Sequence, residues 1–411
     1  MALETAFSFI QSSFTLPLAQ AEPAGGAAID QIVIATLGAS LIFGALSWLC
    51  LRHRAGKTDV LRRASARVGG FTGLPGWAAL PIALAGVSLV TALLGMYWDI
   101  SLHIDVGRDA GPLANPAHYL ILAGLFGVLA AGMLAIFLPE QRPGPASIRL
   151  AGEWHAPIGG ITLTACGAFS LIGFPLDDIW HRLFGQDVTL WGPTHLMLIG
   201  GAAMTIVGMS LLLVEGMRFR DSNRSRPLEP RVRRRSDFLV VSRRIGLAGA
   251  LLIGLSTFQA EWDFGVPQFP MELEPLLLAL AASMALVCAR IWIGPGGAFA
   301  AAGFYILARG LTSVMVGPVL GETLPHMPIY LAEAVLVELT ALAIIRLGAG
   351  RLHPIRFGLA SGLLIGTVGF AAEWGWSHLW MPIPWTTDLL PTAPILALAA
   401  ALAGGVAGAL L

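Results

Sequence analysis

The chain has 411 residues, of which 56% are hydrophobic and 12% are charged, and its formal net charge is zero. Soluble domains carry about 25% charged residues on average, so this composition and a mean hydropathy of +0.74 exclude a soluble domain with one anchor and indicate a polytopic membrane protein. Cys50, Cys166 and Cys288 lie far apart in apolar segments, which disfavours a disulfide framework or a thiolate metal site.

The N-terminal segment, residues 1–30, has two interpretations. The residues Ala19–Ala21 read AQA, which resembles a signal-peptidase site, but Glu4 stands where a signal peptide is normally basic. The segment is therefore predicted to be either a periplasmic extension or a weak signal peptide.

Eleven apolar spans follow, each long enough to cross a hydrocarbon core of about 30 Å. Backbone polar groups in lipid must pair within their own segment, so each span predicts a helix. The predicted fold class is an all-α polytopic membrane helix bundle with about 11 transmembrane helices. The predicted spans are Gln31–Leu51, Leu74–Tyr97, His118–Leu138, Ile158–Leu176, Leu196–Glu215, Ile245–Ala260, Pro275–Ile291, Gly297–Val316, Pro328–Ile345, Phe357–Ala372 and Pro394–Leu411.

The basic residues predict the orientation of the bundle. Of the 25 Lys and Arg residues, 22 fall in alternate loops, which are expected at the cytoplasmic face. This places the N-terminus outside and the C-terminus at the cytoplasmic face of a bacterial-type inner membrane. An Arg-rich cytoplasmic linker, residues 217–244, is predicted to separate an N-terminal transmembrane half, residues 31–216, from a C-terminal half, residues 245–411.

Two similar phrases in the N-terminal half carry acids and histidines, Asp99–His118 and Asp177–His195. Each contains Asp-x3-His and ends in Pro-x-His, and each joins an outward helix to the next inward one, which predicts duplicated helix pairs. Residues at i and i+4 share one face of a helix, so each Asp and His can approach one ion. The predicted metal ligands at the outer face are Asp99, His103 and His118 in the first copy and Asp177, His181 and His195 in the second.

Imidazole and carboxylate ligands without a thiolate suit copper, zinc, iron or manganese. A polar network without metal is the alternative. Other acids and one further histidine lie near the same predicted face and are candidates for additional ligands or for groups that orient the imidazoles. These candidates are Asp109, Asp178, Asp187, Glu261, Asp263, Glu373 and His378.

The spacing of the two motifs resembles the copper motif in the membrane C subunit of particulate methane and ammonia monooxygenases. The resemblance covers about Leu74–Glu215, one third of the chain, and rests on ligand spacing alone. It implies copper as the cofactor and an oxygen-activating monooxygenase as the activity. His118 lies two residues later than the spacing of that family, and Asp177 stands where the family has Asn, so the second triad departs from the pattern. The positions that match the family's two triads are Asp99, His103 and His118, then Asp177, His181 and His195.

Three charged residues fall inside the predicted C-terminal spans. At a rise of about 1.5 Å per residue, Arg309 lies in depth between Glu333 and Glu338 on the following span. Charges in a bilayer normally pair, so the sequence predicts an ion pair between Arg309 and one of these glutamates. A proton or ion path toward the outer site is the alternative.

These observations predict an integral membrane metal-binding protein whose outer-face Asp/His site holds copper, with iron or zinc as alternatives. An oxygen-activating, monooxygenase-like oxidoreductase is one possibility. A periplasmic metal-handling protein or transporter is the second, and a structural subunit of a larger complex is the third. The expected partners are the lipid bilayer and further membrane or periplasmic subunits, and no feature of the sequence indicates nucleic-acid binding.

Overall fold

The computed structural model describes residues 28–107, 109, 111–184, 189–223, 230–347 and 352–411, and most of these residues are helical. The all-α fold class predicted from the sequence is confirmed. The helices are α1 (Ile29–Arg54), α2 (Val60–Thr72), α3 (Gly76–Asp105), α4 (Pro116–Phe137), α5 (Ile158–Phe184), α6 (Pro193–Ser222), α7 (Pro230–Ser256), α8 (Ala260–Asp263), α9 (Leu273–Ile293), α10 (Gly297–Val314), α11 (Leu331–Leu347), α12 (Pro354–Leu364), α13 (Phe370–Leu379) and α14 (Ala393–Leu410).

Ten helical segments in the described part of the chain are long and apolar enough to cross a membrane. The predicted ninth span forms α11, which is an apolar helix of 17 residues. The predicted seventh and eighth spans are separate helices. A tight turn separates them, in which Gly294 and Gly296 have φ values of 105° and 81°, a region that glycine adopts without strain.

The described residues of the predicted linker, 217–223 and 230–244, are largely helical. α6 continues to Ser222, and α7 begins at Pro230 and runs without interruption into the apolar segment that ends at Ser256. The division of the chain into two halves joined by a cytoplasmic linker stays a prediction. Arg218 and Arg220 lie on α6, and Arg243 and Arg244 lie on α7. The first 27 residues, which carry the proposed signal peptide, lie outside the described residues.

One short β-hairpin interrupts the helices. Strands β1 (Ile148–Ala151) and β2 (Trp154–Ala156) pair antiparallel between α4 and α5. The indole Nε1 of Trp154 donates to the carbonyl of Ile136 at 2.9 Å, so the hairpin is fixed to the end of α4. The hairpin lies at the end of the bundle opposite Asp99 and Asp177.

Helices α3 to α6 form a closed four-helix ring, in which α3 packs on α4, α4 on α5, α5 on α6, and α6 on α3. α7 packs against α6 and against α9 and α10, which belong to the C-terminal half. In that half, α14 packs against α9 and α12, and buried side chains from α7 to α14 form one large apolar core.

The predicted duplication of helix pairs extends to their packing. A Cβ added at Gly95, four residues before Asp99, would lie 2.8 Å from the backbone N of Ile121 on the returning helix. A Cβ added at Gly173, four residues before Asp177, would lie 3.2 Å from the equivalent N of Leu198. A second pair of equivalent glycines, Gly124 and Gly201, lies six residues after the C-terminal histidine of each group. A Cβ added at Gly124 would lie 2.6 Å from the Cβ of Ala92, and a Cβ added at Gly201 would lie 2.8 Å from the Cβ of Ser170.

The structure corrects the predicted intramembrane ion pair. Arg309 pairs with Asp263 and not with either glutamate. Glu338 pairs instead with Arg290, from Nε to Oε2 at 2.8 Å. Glu333 is buried against Gly369, and its carboxylate oxygens have no hydrogen-bond partner among the described residues. The predicted depth of Arg309 relative to the two glutamates stays a prediction, whereas its predicted partners are replaced by Asp263.

Candidate metal centre

The first Asp/His group consists of Asp99, His103, Asp109 and His118. It lies where α3 ends and α4 begins, and this end of the bundle is called the Asp/His end below. The Nε2 atom of His118 lies 3.1 Å from Oδ1 of Asp99, and Nε2 of His103 lies 3.1 Å from Oδ2 of Asp109. Nδ1 of His103 lies 3.6 Å from Oδ2 of Asp99. Both imidazoles therefore face carboxylates.

The second Asp/His group consists of Asp177, His181 and His195, where α5 ends and α6 begins. One oxygen of Asp177 lies 3.2 Å from Nε2 of His181, and the other lies 3.3 Å from Nε2 of His195. The ligand atoms of this group lie within 4.8 Å of one another, and the same holds for Asp99, His103 and Asp109. Each group thus gathers three ligand atoms at a spacing that one metal ion can span.

The C-terminal histidine of each group is oriented by the same backbone contact. Nδ1 of His118 lies 2.8 Å from the carbonyl of Pro112, and Nδ1 of His195 lies 2.7 Å from the carbonyl of Thr189, six residues earlier in both cases. A carbonyl only accepts, so Nδ1 carries the proton. Each Nε2 then either carries a second proton or directs a lone pair at a cation shared with the aspartate, which is the arrangement of metal-ligating histidines.

The two groups fix their aspartates with different side chains. In the first, the amide of Asn115 donates to Asp99 at 2.6 Å and to Asp109 at 3.1 Å. In the second, the hydroxyl of Thr194 donates to Asp177 at 2.6 Å. The sequence analysis missed Asn115 and Thr194. Asn directly before a proline at the first position of a helix is a typical N-cap, and the N–H of Ala117 does donate to Asn115, so that signal was present.

Asp109 was predicted as an additional ligand, and the structure places it within the first group. Burial raises its pKa, but hydrogen bonds from His103 and Asn115 lower it more, so that the pKa lies below its ordinary value. Asp109 is therefore a carboxylate, the form that binds cations. Its predicted counterpart Asp187 lies outside the described residues.

Both groups line one cavity of about 800 Å³. The imidazole of His118 contacts the ring of Phe174 edge-on, with 5.3 Å between centroids, and Phe174 precedes Asp177 by one helical turn. Asp178 lines the same cavity. The duplicated helix pairs thus present their acids and imidazoles to a common space, as expected if the triads lie side by side.

Glu261 holds the loop beside a histidine of the second group. Its carboxylate accepts from the backbone N–H of Leu190 at 2.7 Å and of Gln268 at 2.9 Å. Leu190 follows Thr189, whose carbonyl orients His195. Glu261 on α8 therefore holds the loop that positions this imidazole, as expected for a residue that supports a ligand without binding the metal.

Three other candidate ligands lie elsewhere. Asp263 is fully buried with Arg309. Glu373 is buried and lines a small separate pocket with Glu333. His378 is exposed and hydrogen-bonds to the carbonyl of Trp374. None of the three belongs to either Asp/His group or lines their shared cavity, and their role as additional ligands stays a prediction.

No protein-family model matches the chain, and comparisons with curated proteins and with solved structures find no match. The candidate site is therefore argued from its own geometry.

Proposed function

We propose that the protein is an integral membrane metalloprotein that binds one copper ion in each Asp/His group and uses them to activate oxygen. The observation that carries the proposal is the shared orientation of His118 and His195, whose Nε2 atoms face carboxylates while their Nδ1 atoms are held by carbonyls. Such contacts fix the tautomer that binds a metal.

Two observations favour copper as the bound metal. The donor set of imidazole and carboxylate without thiolate suits copper and other borderline metals. The ligand spacing also resembles the copper motif of the particulate monooxygenases, although Asp177 departs from it. The second group offers three protein ligand atoms, which leave coordination positions for oxygen or substrate.

Bound copper would supply electron transfer to oxygen. In the proposed monooxygenase reaction, O2, a C–H bond, two electrons and two protons give C–OH and water, with the electrons coming from an external reductant. The chain's own residues hold the ions, and the cavity beside them supplies an apolar space for the substrate. We place this site at the periplasmic face of an inner membrane, following the distribution of arginines.

The cavity bears on the alternative of a metal transporter. Beyond the Asp/His groups its lining is mainly aliphatic, for example Ile82, Leu89 and Ile253. A hydrated cation crossing the bilayer needs polar groups along its path. The lining therefore favours an apolar substrate over passage of a metal ion.

The test is copper stoichiometry in the purified, detergent-solubilised protein. The parent should bind two equivalents. His103→Ala and His181→Ala should each lose one equivalent, and the double variant should bind none, with the electron paramagnetic resonance signal decreasing in step. His378→Ala, which removes an exposed histidine outside both groups, is the matched control and should bind like the parent.

Oxygen uptake distinguishes an enzyme from a copper carrier. The copper-loaded parent with a reductant should consume oxygen, and the double histidine variant should not. A parent that binds no copper after loading, or a double variant that binds as well as the parent, overturns the proposal. Copper binding without any oxygen uptake overturns the oxidoreductase part of it.

A further inference from the structure

The cavity beside the Asp/His groups extends through much of the bundle. Its lining begins at the Asp/His end with Asp99 and reaches Thr72 and Arg243 at the opposite end, called the arginine end below. Ala79 and Asp99, which both line it, are separated by about 30 Å along α3 at 1.5 Å per residue. That length equals the hydrocarbon thickness of a bilayer, about 30 Å.

The middle of the cavity is apolar and open to the side. Ala250 and Phe304 line it from α7 and α10, and Gly86 leaves space on α3. Val87 and Val90 also line it and are 70% and 58% exposed, so this side of the cavity faces the region of lipid chains. A molecule dissolved in the bilayer can therefore enter from the side.

The volume restricts the occupant to one slender molecule. About 800 Å³ lies within the range of pockets that hold a single small ligand, about 300–1,000 Å³. Spread over a length near 30 Å, this space fits one extended chain and not a compact ring system or a two-chain lipid.

The two ends of the cavity carry different polar groups. At the Asp/His end, Asp99, Asp109 and Asp177 line it together with His103, His118, His181 and His195. At the arginine end, Nη2 of Arg243 donates to the carbonyl of Thr72 at 3.2 Å, while Nη1 is buried without a hydrogen-bond partner among the described residues. A buried guanidinium N–H that lacks an acceptor is costly, and an anion relieves that cost.

We propose that the cavity binds a long-chain fatty acid, with its carboxylate on Arg243 and its hydrocarbon chain directed toward the Asp/His groups. Arg243 selects this orientation, because its buried N–H offers a carboxylate a charge-assisted hydrogen bond. A chain shorter than one leaflet, about 15 Å, would not reach from Arg243 to the far end. Binding of the fatty acid does not depend on the proposed function. The inference rests on the proposed function only for the reaction, which would then take place near the methyl end of the bound chain.

The test uses photo-crosslinking in metal-stripped protein reconstituted in lipid nanodiscs. Stearate with a diazirine at its methyl end should label peptides around Leu93, Ile199 and Val266, which line the Asp/His end. Stearate with the diazirine beside the carboxylate should label peptides around Thr72 and Arg243. The methyl ester of the same probe should label the protein about tenfold less than the acid does, because it lacks the charge that Arg243 binds.

Two substitutions with matched controls locate the site. Arg243→Gln should reduce labelling about tenfold, whereas Arg244→Gln should not, since Arg244 stacks over Trp292 and does not line the cavity. Gly86→Phe should block the cavity, whereas Gly303→Phe adds the same ring where no atom lies within 4 Å and outside the lining. Size-exclusion chromatography checks that each variant remains folded.

Two outcomes overturn the inference. One is equal labelling by acid and ester together with no effect of Arg243→Gln. The other is labelling spread over lipid-facing residues such as Leu41 and Trp48 of α1, which would mean surrounding lipid only. The experiment contains no metal, so loss of copper binding in the stoichiometry test leaves it intact. Failure here likewise leaves the copper sites untouched.

Discussion

Arg309 and Asp263 form a completely buried ion pair, with 2.6 Å between Nη2 and Oδ2 and side-chain exposures of 1% and 0%. The guanidinium also lies 3.6 Å from the ring centroid of Tyr97 on α3 and donates to the carbonyl of His326. Asp263 is two residues from Glu261, which holds the loop beside His195. The pair thus ties α10 of the C-terminal half to the element that supports the second Asp/His group.

We expect Arg309→Leu to lower the free energy of unfolding by about 3–5 kcal/mol, because it leaves the Asp263 carboxylate buried without its partner. Adding Asp263→Asn should restore part of the loss. Denaturant or thermal unfolding in detergent measures both. The Arg290 and Glu338 pair provides the control, since Arg290→Leu should be relieved by Glu338→Gln and not by Asp263→Asn. Rescue of Arg309→Leu by Glu333→Gln would contradict the assignment.

The partner of Arg309 could not be predicted from the sequence. Hydropathy and helical rise predict how deep Arg309 lies, but pairing depends on the rotation of each helix about its axis. A 3₁₀ segment, Thr257–Gln259, lies between α7 and α8 and alters the periodicity just before Asp263. It turns this aspartate toward Arg309 and Tyr97. A single sequence whose spans contain few polar residues carries no signal for such a change in the rotation of a helix.

The Asp/His groups were more accessible to sequence reasoning. The Asp-x3-His spacing places both residues on one face of a helix. Pro-x-His at the start of the next helix brings the third residue to the same end of the bundle. Asp109 could be proposed but not placed, since loop geometry brings it to His103. The carbonyls of Pro112 and Thr189 could not be found, because a backbone contact leaves no mark on residue type.

Glu261 should affect copper binding at the second group only. Glu261→Ala releases the N–H of Leu190 and frees the loop that orients His195, and loss of such support typically lowers metal affinity about 10–100-fold. Copper titration in the His103→Ala background, where only the second group binds, measures the change. The same substitution in the His181→Ala background should leave the first group near its parental affinity. Equal weakening of both groups would mean general destabilisation.

The predicted orientation of the bundle rests on the distribution of arginines and is tested by reporter fusions. Fusions after Arg63 and Asn223 should report a cytoplasmic location, and a fusion after Asp109 should report an outside location, because positive loops remain inside. Alkaline phosphatase and green fluorescent protein give opposite signals for the two sides. An outside location for Asn223 would place the Asp/His groups in the cytoplasm and exclude the periplasmic assignment.

The glycines between the repeated helices should be needed for the second group to form. A Cβ added at Gly201 would lie 2.8 Å from the Cβ of Ser170 and 2.9 Å from its backbone N, so α5 and α6 would have to separate. Gly200, one position earlier, has no atom within 4 Å of an added Cβ. Gly201→Val should therefore lower stability by about 1–3 kcal/mol through overpacking. Gly200→Val carries the same change in helix propensity and should be nearly neutral.

Copper binding gives this glycine experiment a readout beyond stability. Asp177 and His181 lie on α5 and His195 on α6, so a separated pair should lose the second equivalent of copper and keep the first. Gly124→Val, at the equivalent position in the first pair, should do the reverse, because its added Cβ meets Ala92 on α3. Thermal unfolding and copper stoichiometry on the same preparations test both. If Gly201→Val destabilises the fold but leaves both equivalents bound, the close approach of α5 and α6 does not set the spacing of the site.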